Sequence, residues 1–301
     1  MALKRDSPRG APGGDVGTAG AAIGPSGTVR GPSPPAPAPA ATEHPRVHRL
    51  EPAAIGAVLS RELSVFRRYW RSTTFSSVVE PTIFLLAFGF GFGALVSQVA
   101  GLSYIEFVGT GVVATAVLFS SVFPGLFTTF VKRRYQRTYD ALLAAPIDVE
   151  ELVTAEVLWL AIRAGVYGLA PLLVAIAFGL NPSPGMVLVP LIGFVTGFGF
   201  AAFGVTIAAI AKSIDNFNYV TSSVITPLFL VAGTFFPLEA LPGWAAMLAQ
   251  ANPLHHCVEL VRDAVFGLRA GPDLRHVGVL LVFALVMWRL AIWRLRLRLI
   301  D

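Results

Sequence analysis

Residues 164–211 read AGVYGLAPLLVAIAFGLNPSPGMVLVPLIGFVTGFGFAAFGVTIAAIA, 48 positions without a single Lys, Arg, Asp or Glu. A helix needs roughly 20 apolar residues to cross a hydrocarbon core of about 30 Å. The run has one and a half to two such lengths, with Asn181-Pro182-Ser183-Pro184-Gly185 as the turn between two crossings. The neighbouring segments repeat the pattern: 81–105, 107–131 and 216–238 carry no charge either. Only 14% of the chain is charged, against about 25% in soluble domains. Backbone groups inside a bilayer must be bonded within their own segment, so apolar runs of this length imply helices. The chain is therefore expected to be an all-α integral membrane protein. Six spans are predicted, at about 78–97, 105–130, 152–179, 186–211, 217–236 and 275–293.

The sixth span is the shortest, since only 276–288 is free of Lys, Arg, Asp and Glu. Arg289 would have to snorkel inward, with Trp288 and Trp293 in the aromatic belt. Orientation follows from Lys and Arg. Lys132, Arg133, Arg134 and Arg137 follow span two, Lys212 follows span four, and Arg294, Arg296 and Arg298 follow span six. The alternate loops 98–104 and 180–185 have none. The positive-inside rule then puts both termini in the cytosol of a multi-pass protein of the cytoplasmic membrane. It also accounts for the net charge of +5 without any basic folded face for nucleic acid.

Residues 1–52 hold ten prolines and eight glycines. Such a stretch cannot bury enough apolar surface to order itself, so it is expected to be a disordered cytosolic tail, leaving 53–301 as the membrane domain. Between 55 and 75, Leu59, Leu63, Phe66 and Trp70 recur at helical spacing among Arg61, Arg67, Arg68 and Arg71. An interfacial helix is expected there, broken from span one by Ser72–Thr74 and Pro81. Between spans five and six, Phe236, Pro237, Pro242, Trp244, Asn252 and Pro253 punctuate an apolar run. This run is too broken to span and too apolar to float in water. Short re-entrant or interfacial helices at the outer face are expected, forming either an exit gate or a lid that stabilises the bundle.

Several chemistries lack their residues. A P-loop requires Gly-Lys-Ser/Thr, and none of the three lysines, Lys4, Lys132 and Lys212, stands in that setting. Any ATP must be bound by another chain. With one cysteine, Cys257, no intramolecular disulfide or cysteine zinc motif is available. His255-His256 offers no evident third metal ligand. No Asp-x-x-x-Asp occurs to hold magnesium on a lipid diphosphate. A secondary transporter or a lipid-processing membrane enzyme is the alternative class, but spans one, two, four and five have no mid-span acid and no convincing internal repeat is evident. Glu156 and Arg163 do lie within span three, about 10 Å apart along one helix face. They are expected to form a structural clamp between inner span ends. Phe84, Phe88 and Phe92, interleaved with Gly89, Gly91 and Gly93, mark either an apolar pathway or a packing face.

Three stretches carry a family resemblance: Gln136-Arg137-Thr138-Tyr139-Asp140-Ala141-Leu142-Leu143-Ala144-Ala145-Pro146 with Glu156 and Trp159; Gly233-Thr234-Phe235-Phe236-Pro237 with Leu241-Pro242-Gly243-Trp244; and Asn252-Pro253-Leu254-His255-His256 with Glu259-Leu260-Val261-Arg262. Together they resemble an ABC-2-type transporter permease, in the NodJ-like branch that exports nodulation lipo-oligosaccharides, an architecture shared with daunorubicin-type drug exporters. The resemblance implies a permease without its own nucleotide site, working with a cytosolic ATPase that holds ATP and Mg. It also implies a second permease copy, a lipid environment, and export of a lipid-linked saccharide, glycolipid or hydrophobic drug. It further implies that Arg133, Arg134, Gln136, Arg137, Thr138, Tyr139, Asp140, Leu142, Leu143 and Pro146 form a coupling helix on its stem. Thr138 suits the N-cap of such a helix, Asp140 its positive end, and Leu142 and Leu143 an apolar knob.

Overall fold

The computed structural model describes residues 50–299 except Ser97 and 239–241. The tail expected over 1–52 therefore lies outside the described residues up to position 49, as does Leu241 of the outer segment. Helix α1 (Pro52–Gly91) leads to a two-residue hairpin, β1 (Gln98–Val99) and β2 (Leu102–Ser103). Both turn residues have positive φ, Ala100 at 51° and Gly101 at 81°, the geometry of a primed hairpin turn. Ser103 and Glu106 then form a reciprocal capping box that starts α2 (Tyr104–Phe123). A π-helical turn, Pro124–Thr128, joins α2 to α3 (Thr129–Arg134) in one rod of 31 residues.

The short α4 (Thr138–Leu143) precedes α5 (Val149–Tyr167), which opens on a second capping box between Asp148 and Glu151. Pro171 has no N–H for the carbonyl of Tyr167, and α6 (Leu169–Ala177) resumes after that interruption. Next come a 3₁₀ turn (Pro184–Leu188) and α7 (Val189–Ile210). Helix α8 (Asn216–Val220), a π turn (Thr221–Ile225) and α9 (Thr226–Leu230) are contiguous. Helices α10 (Gly243–Gln250), α11 (Pro253–Phe266) and α12 (Ala270–Leu299) complete the described chain.

These helices pack against one another as a bundle. Among the described residues, four are long and apolar enough to cross a membrane: Tyr104–Arg134, Val149–Ala177, Pro184–Ile210 and Ala270–Leu299. These coincide with predicted spans two, three, four and six. Helix α7 is central, packed on α12, α5 and α2. Its seam with α5 is made of small residues. A Cβ on Gly197 would come within 2.5 Å of the Ala164 methyl, and one on Gly165 within 2.6 Å of the Pro190 carbonyl. Glycine there lets the two backbones close up, the usual device where lipid supplies no hydrophobic drive. One apolar cluster fills the bundle around α2 and α11, and a second fills the end where α1, α4, α5 and α12 meet.

Two expectations are corrected. Among the described residues there is no separate interfacial helix over 55–75, because α1 is continuous over 40 residues. The Ser-Thr run does not break it, since the Ser72 and Thr73 hydroxyls donate to the Tyr69 carbonyl one turn back, each at 3.1 Å. Its apolar stripe packs in part on α5, with Phe66 edge-on to Trp159 at 5.5 Å. Span five is also shorter than 217–236. The helix ends at Leu230, Val231 leaves helical geometry, and Gly233 turns the chain at φ 86°. Residues 216–230 reach about 22 Å at 1.5 Å per residue.

Candidate functional site

At the end of the bundle where α3 and α7 finish, Arg137 adopts a left-handed conformation, φ 49° and ψ 31°, and turns the chain from α3 into α4. Arg137, not Thr138, occupies the N-cap, and Thr138 is the first helical residue. The Thr138 hydroxyl faces Gln136 Oε1 at 3.4 Å. Asp140 lies in the first turn, Leu142 and Leu143 are half-buried against the inner cluster, and Pro146 follows the helix exposed. Tyr139 points inward and is 1% exposed. Its hydroxyl donates to Glu156 Oε2 on α5. The other carboxyl oxygen of Glu156 accepts from Thr129 Oγ1 at 2.9 Å and from Lys132 Nζ at 3.3 Å. Lys132 also reaches Glu62 on α1 at 2.9 Å, and Glu62 meets Arg61 at 2.7 Å.

One buried polar knot therefore ties α1, α3, α4 and α5. Its partners compensate the desolvation that an isolated buried charge would suffer. A shift of α4 must either carry these rods with it or break charge-assisted bonds. Arg163 is not part of the knot. The clamp expected of Glu156 and Arg163 does not take in Arg163, which among the described residues has no salt bridge. Its guanidinium lies over the Phe66 and Tyr167 rings, at 5.5 and 5.4 Å. Sequence spacing put Glu156 and Arg163 on one helix face, but the true partner, Lys132, comes from another helix. Arg133 fills a different role, donating to the carbonyls of Ala208, Ala209 and Ala211 and so capping α7. Arg134 is exposed beside it.

A second feature runs between the two ends. Phe84, Phe88 and Phe92 stack along one face of α1, with centroids 6.1 and 5.5 Å apart. Phe88 meets Phe235 at 4.6 Å, Phe235 meets Phe229 at 5.3 Å, and Phe229 meets Phe119 at 5.4 Å. Phe119, Phe123 and Phe127 then step down the α2 rod to Phe217, 5.0 Å from Phe127. Both π-helical turns adjoin this aromatic track, and π turns frequently mark functional places in helices. The sequence reading picked out the α1 phenylalanines but missed those of α2 and α9. The signal was there in the four-residue spacing of Phe119, Phe123 and Phe127.

The segment after α9 closes the opposite end. Phe236 and Pro237 follow the Gly233 turn, Pro242 is the N-cap of α10, and Trp244 is exposed. Asn252 caps α11 by accepting from the Leu254 N–H at 2.9 Å, and its amide donates to the Leu228 carbonyl at 2.7 Å. Pro253 takes the first helical position, where its missing N–H costs nothing. Helix α11 lies mostly buried against α2, α7 and α12. The structure brings a third histidine, His276 of α12, to the His255-His256 pair. The His256 Nε2–H donates to the Gln250 carbonyl at 2.9 Å, so its Nδ1 accepts from His276 Nδ1–H at 2.6 Å. Burial holds His255 and His256 below the ordinary imidazole pKa. Among the described residues no three His, Cys, Asp or Glu are arranged to hold a metal.

Residues 53–266 match the family described as ABC-2 type transporter. Nodulation protein J of Sinorhizobium fredii is 30% identical over 246 residues, covering 79% of this chain and 94% of the relative. Nodulation protein J of Rhizobium meliloti gives the same identity and coverage. The inner membrane transport permease YadH of Escherichia coli is 26% identical over 242 residues, 80% of this chain and 94% of the relative.

Proposed function

We propose that this chain, which belongs to the ABC-2 type transporter family, is the membrane-spanning subunit of an exporter driven by a separate cytosolic ATPase. Membership makes it a membrane permease. Six crossings, cytosolic termini, location in the cytoplasmic membrane, pairing with a second permease copy, and ATP and Mg held by the partner are the finer parts of this reading. The absence of any Gly-Lys-Ser/Thr sequence supports a separate motor.

The observation that carries the reading is the knot around Glu156. Helix α4 is too short to be stable alone. It is fixed to three membrane rods through Tyr139, Glu156, Lys132 and Glu62. Motion delivered to the segment 134–146, whose Arg134, Arg137, Asp140 and Pro146 are exposed, then reaches α1 and α5 directly. The aromatic track offers an uncharged surface for the cargo, a lipid-linked saccharide, glycolipid or hydrophobic drug, which leaves past α10 and α11. Among these cargoes, the resemblance to the NodJ-like branch, to which the nodulation protein J relatives belong by name, favours the saccharide.

Inverted membrane vesicles containing the chain and its ATPase test this. ATP-dependent uptake of a labelled lipo-oligosaccharide is expected, and Leu142→Pro should abolish it while the protein stays in the membrane. Uptake that persists in Leu142→Pro vesicles contradicts the coupling role of α4.

A further inference from the structure

A cavity of about 510 Å³ opens beside the knot, lined by Arg133, Arg134, Arg137, Lys212, Arg298 and Asp140. Arg133 is committed to the carbonyl end of α7. The other four cations form no salt bridge among the described residues, and all four are exposed. Like charges gathered around one hollow repel each other, and a single Asp140 does not neutralise them. An anion in the cavity relieves that repulsion and gains charge-assisted bonds.

The place of the cavity identifies the anion. Arg134 is the last residue of the Tyr104–Arg134 rod, Lys212 stands two residues beyond α7, and Arg298 lies in the last turn of α12. Three membrane-length helices end together there, on the side that the proposed function turns to the cytosol and the inner-leaflet headgroups. Basic pockets between helix ends on the cytosolic side suit anionic headgroups. We propose that this cavity is a binding site for the phosphate headgroup of an anionic phospholipid of the inner leaflet. Because Arg134 ends α3 and Arg137 is the N-cap of α4, a bound headgroup sets the resting position of the coupling helix. The site is independent of which cargo the protein carries.

The full chain, purified in a neutral maltoside detergent, is titrated with phosphatidylglycerol or phosphatidylcholine and the retained lipid is read by native mass spectrometry. Phosphatidylglycerol is expected to be retained in preference. Lys212→Gln with Arg298→Gln should weaken its retention about twenty- to thirtyfold, from two lost surface cations. Lys212→Arg with Arg298→Lys, which keeps the charge, should restore it, separating a lost site from a misfolded protein. Arg275→Gln at the other end should change nothing. Equal retention of the two lipids, or unchanged phosphatidylglycerol retention in the Gln variant, overturns the proposal. So does displacement of the lipid by millimolar inorganic phosphate alone, which would make this a free-phosphate site. Loss of ATPase binding in the Gln variant with lipid retention intact would make it a protein dock, and also overturns it.

Discussion

Tyr139→Phe removes one hydroxyl and leaves the ring in place. That hydroxyl donates to Glu156 in a site where Tyr139 is 1% exposed and Glu156 3% exposed, so water cannot replace it. A hydrogen bond to a charged group contributes about 1.5–3 kcal/mol, and Tyr139→Phe is expected to lower stability by that amount. Glu156→Gln is expected to cost somewhat less than the 3–5 kcal/mol typical of breaking a buried pair, because Lys132 keeps Glu62 at 2.9 Å. The two residues act through one contact, so their costs should not add. In the Glu156→Gln background, Tyr139→Phe should cost about 1–2 kcal/mol less than in the parent, an interaction energy of the size seen for touching residues. Unfolding of the four proteins in mixed maltoside–dodecyl sulfate micelles measures this cycle. Additivity within about 0.5 kcal/mol would show the two residues to be independent and refute the knot as a mechanical link between α4 and α5.

Asn252→Ala removes both the α11 cap and the bond to Leu228, and should cost about 2–3 kcal/mol by thermal unfolding. Gly204→Ala would place a methyl 2.7 Å from the Val122 carbonyl and 3.0 Å from Gly125; a cost of about 1–3 kcal/mol is expected from overpacking, read by the same assay. Phe229→Ala interrupts the aromatic track between Phe235 and Phe119 and should reduce vesicle uptake more than it reduces stability. Stability should also fall with acid. His256 has its folded pKa lowered by burial and by the Arg275 charge, against the opposing pull of the Gln250 carbonyl and Glu259. The unfolded state therefore takes up the proton first, and stability is lost as pH falls through about 6.5. His256→Gln should flatten the pH 5–7 unfolding profile.

The sequence determined the bundle because its signals were local and long. Four predicted spans reappear as helices because predominantly apolar runs of that length have no other stable form in a bilayer. Span five failed at its end because the contacts that stop it, Asn252 on the Leu228 carbonyl and His255 on the Ala232 carbonyl, come from residues more than twenty positions away. The α1 break failed for the converse reason: Ser72 and Thr73 satisfied themselves within the helix, a choice that composition does not reveal. Helix α4 was legible from Asp140, Leu142 and Pro146, and Glu156 was singled out as a buried charge. Its partners were not, since Lys132, Tyr139 and Glu62 meet it only through tertiary packing. The link of His256 to His276 was hidden in the same way.

Central to this account is a permease whose motor is a separate chain. Gentle-detergent purification of the complex from its native host, with mass spectrometry of what co-purifies, tests that most directly. A stoichiometric soluble protein bearing Gly-x-x-x-x-Gly-Lys-Ser/Thr is predicted, and Leu142→Pro should release it. Recovery of the chain without any ATPase, under conditions that preserve such complexes, would contradict the account and make a secondary transporter or membrane enzyme the better reading.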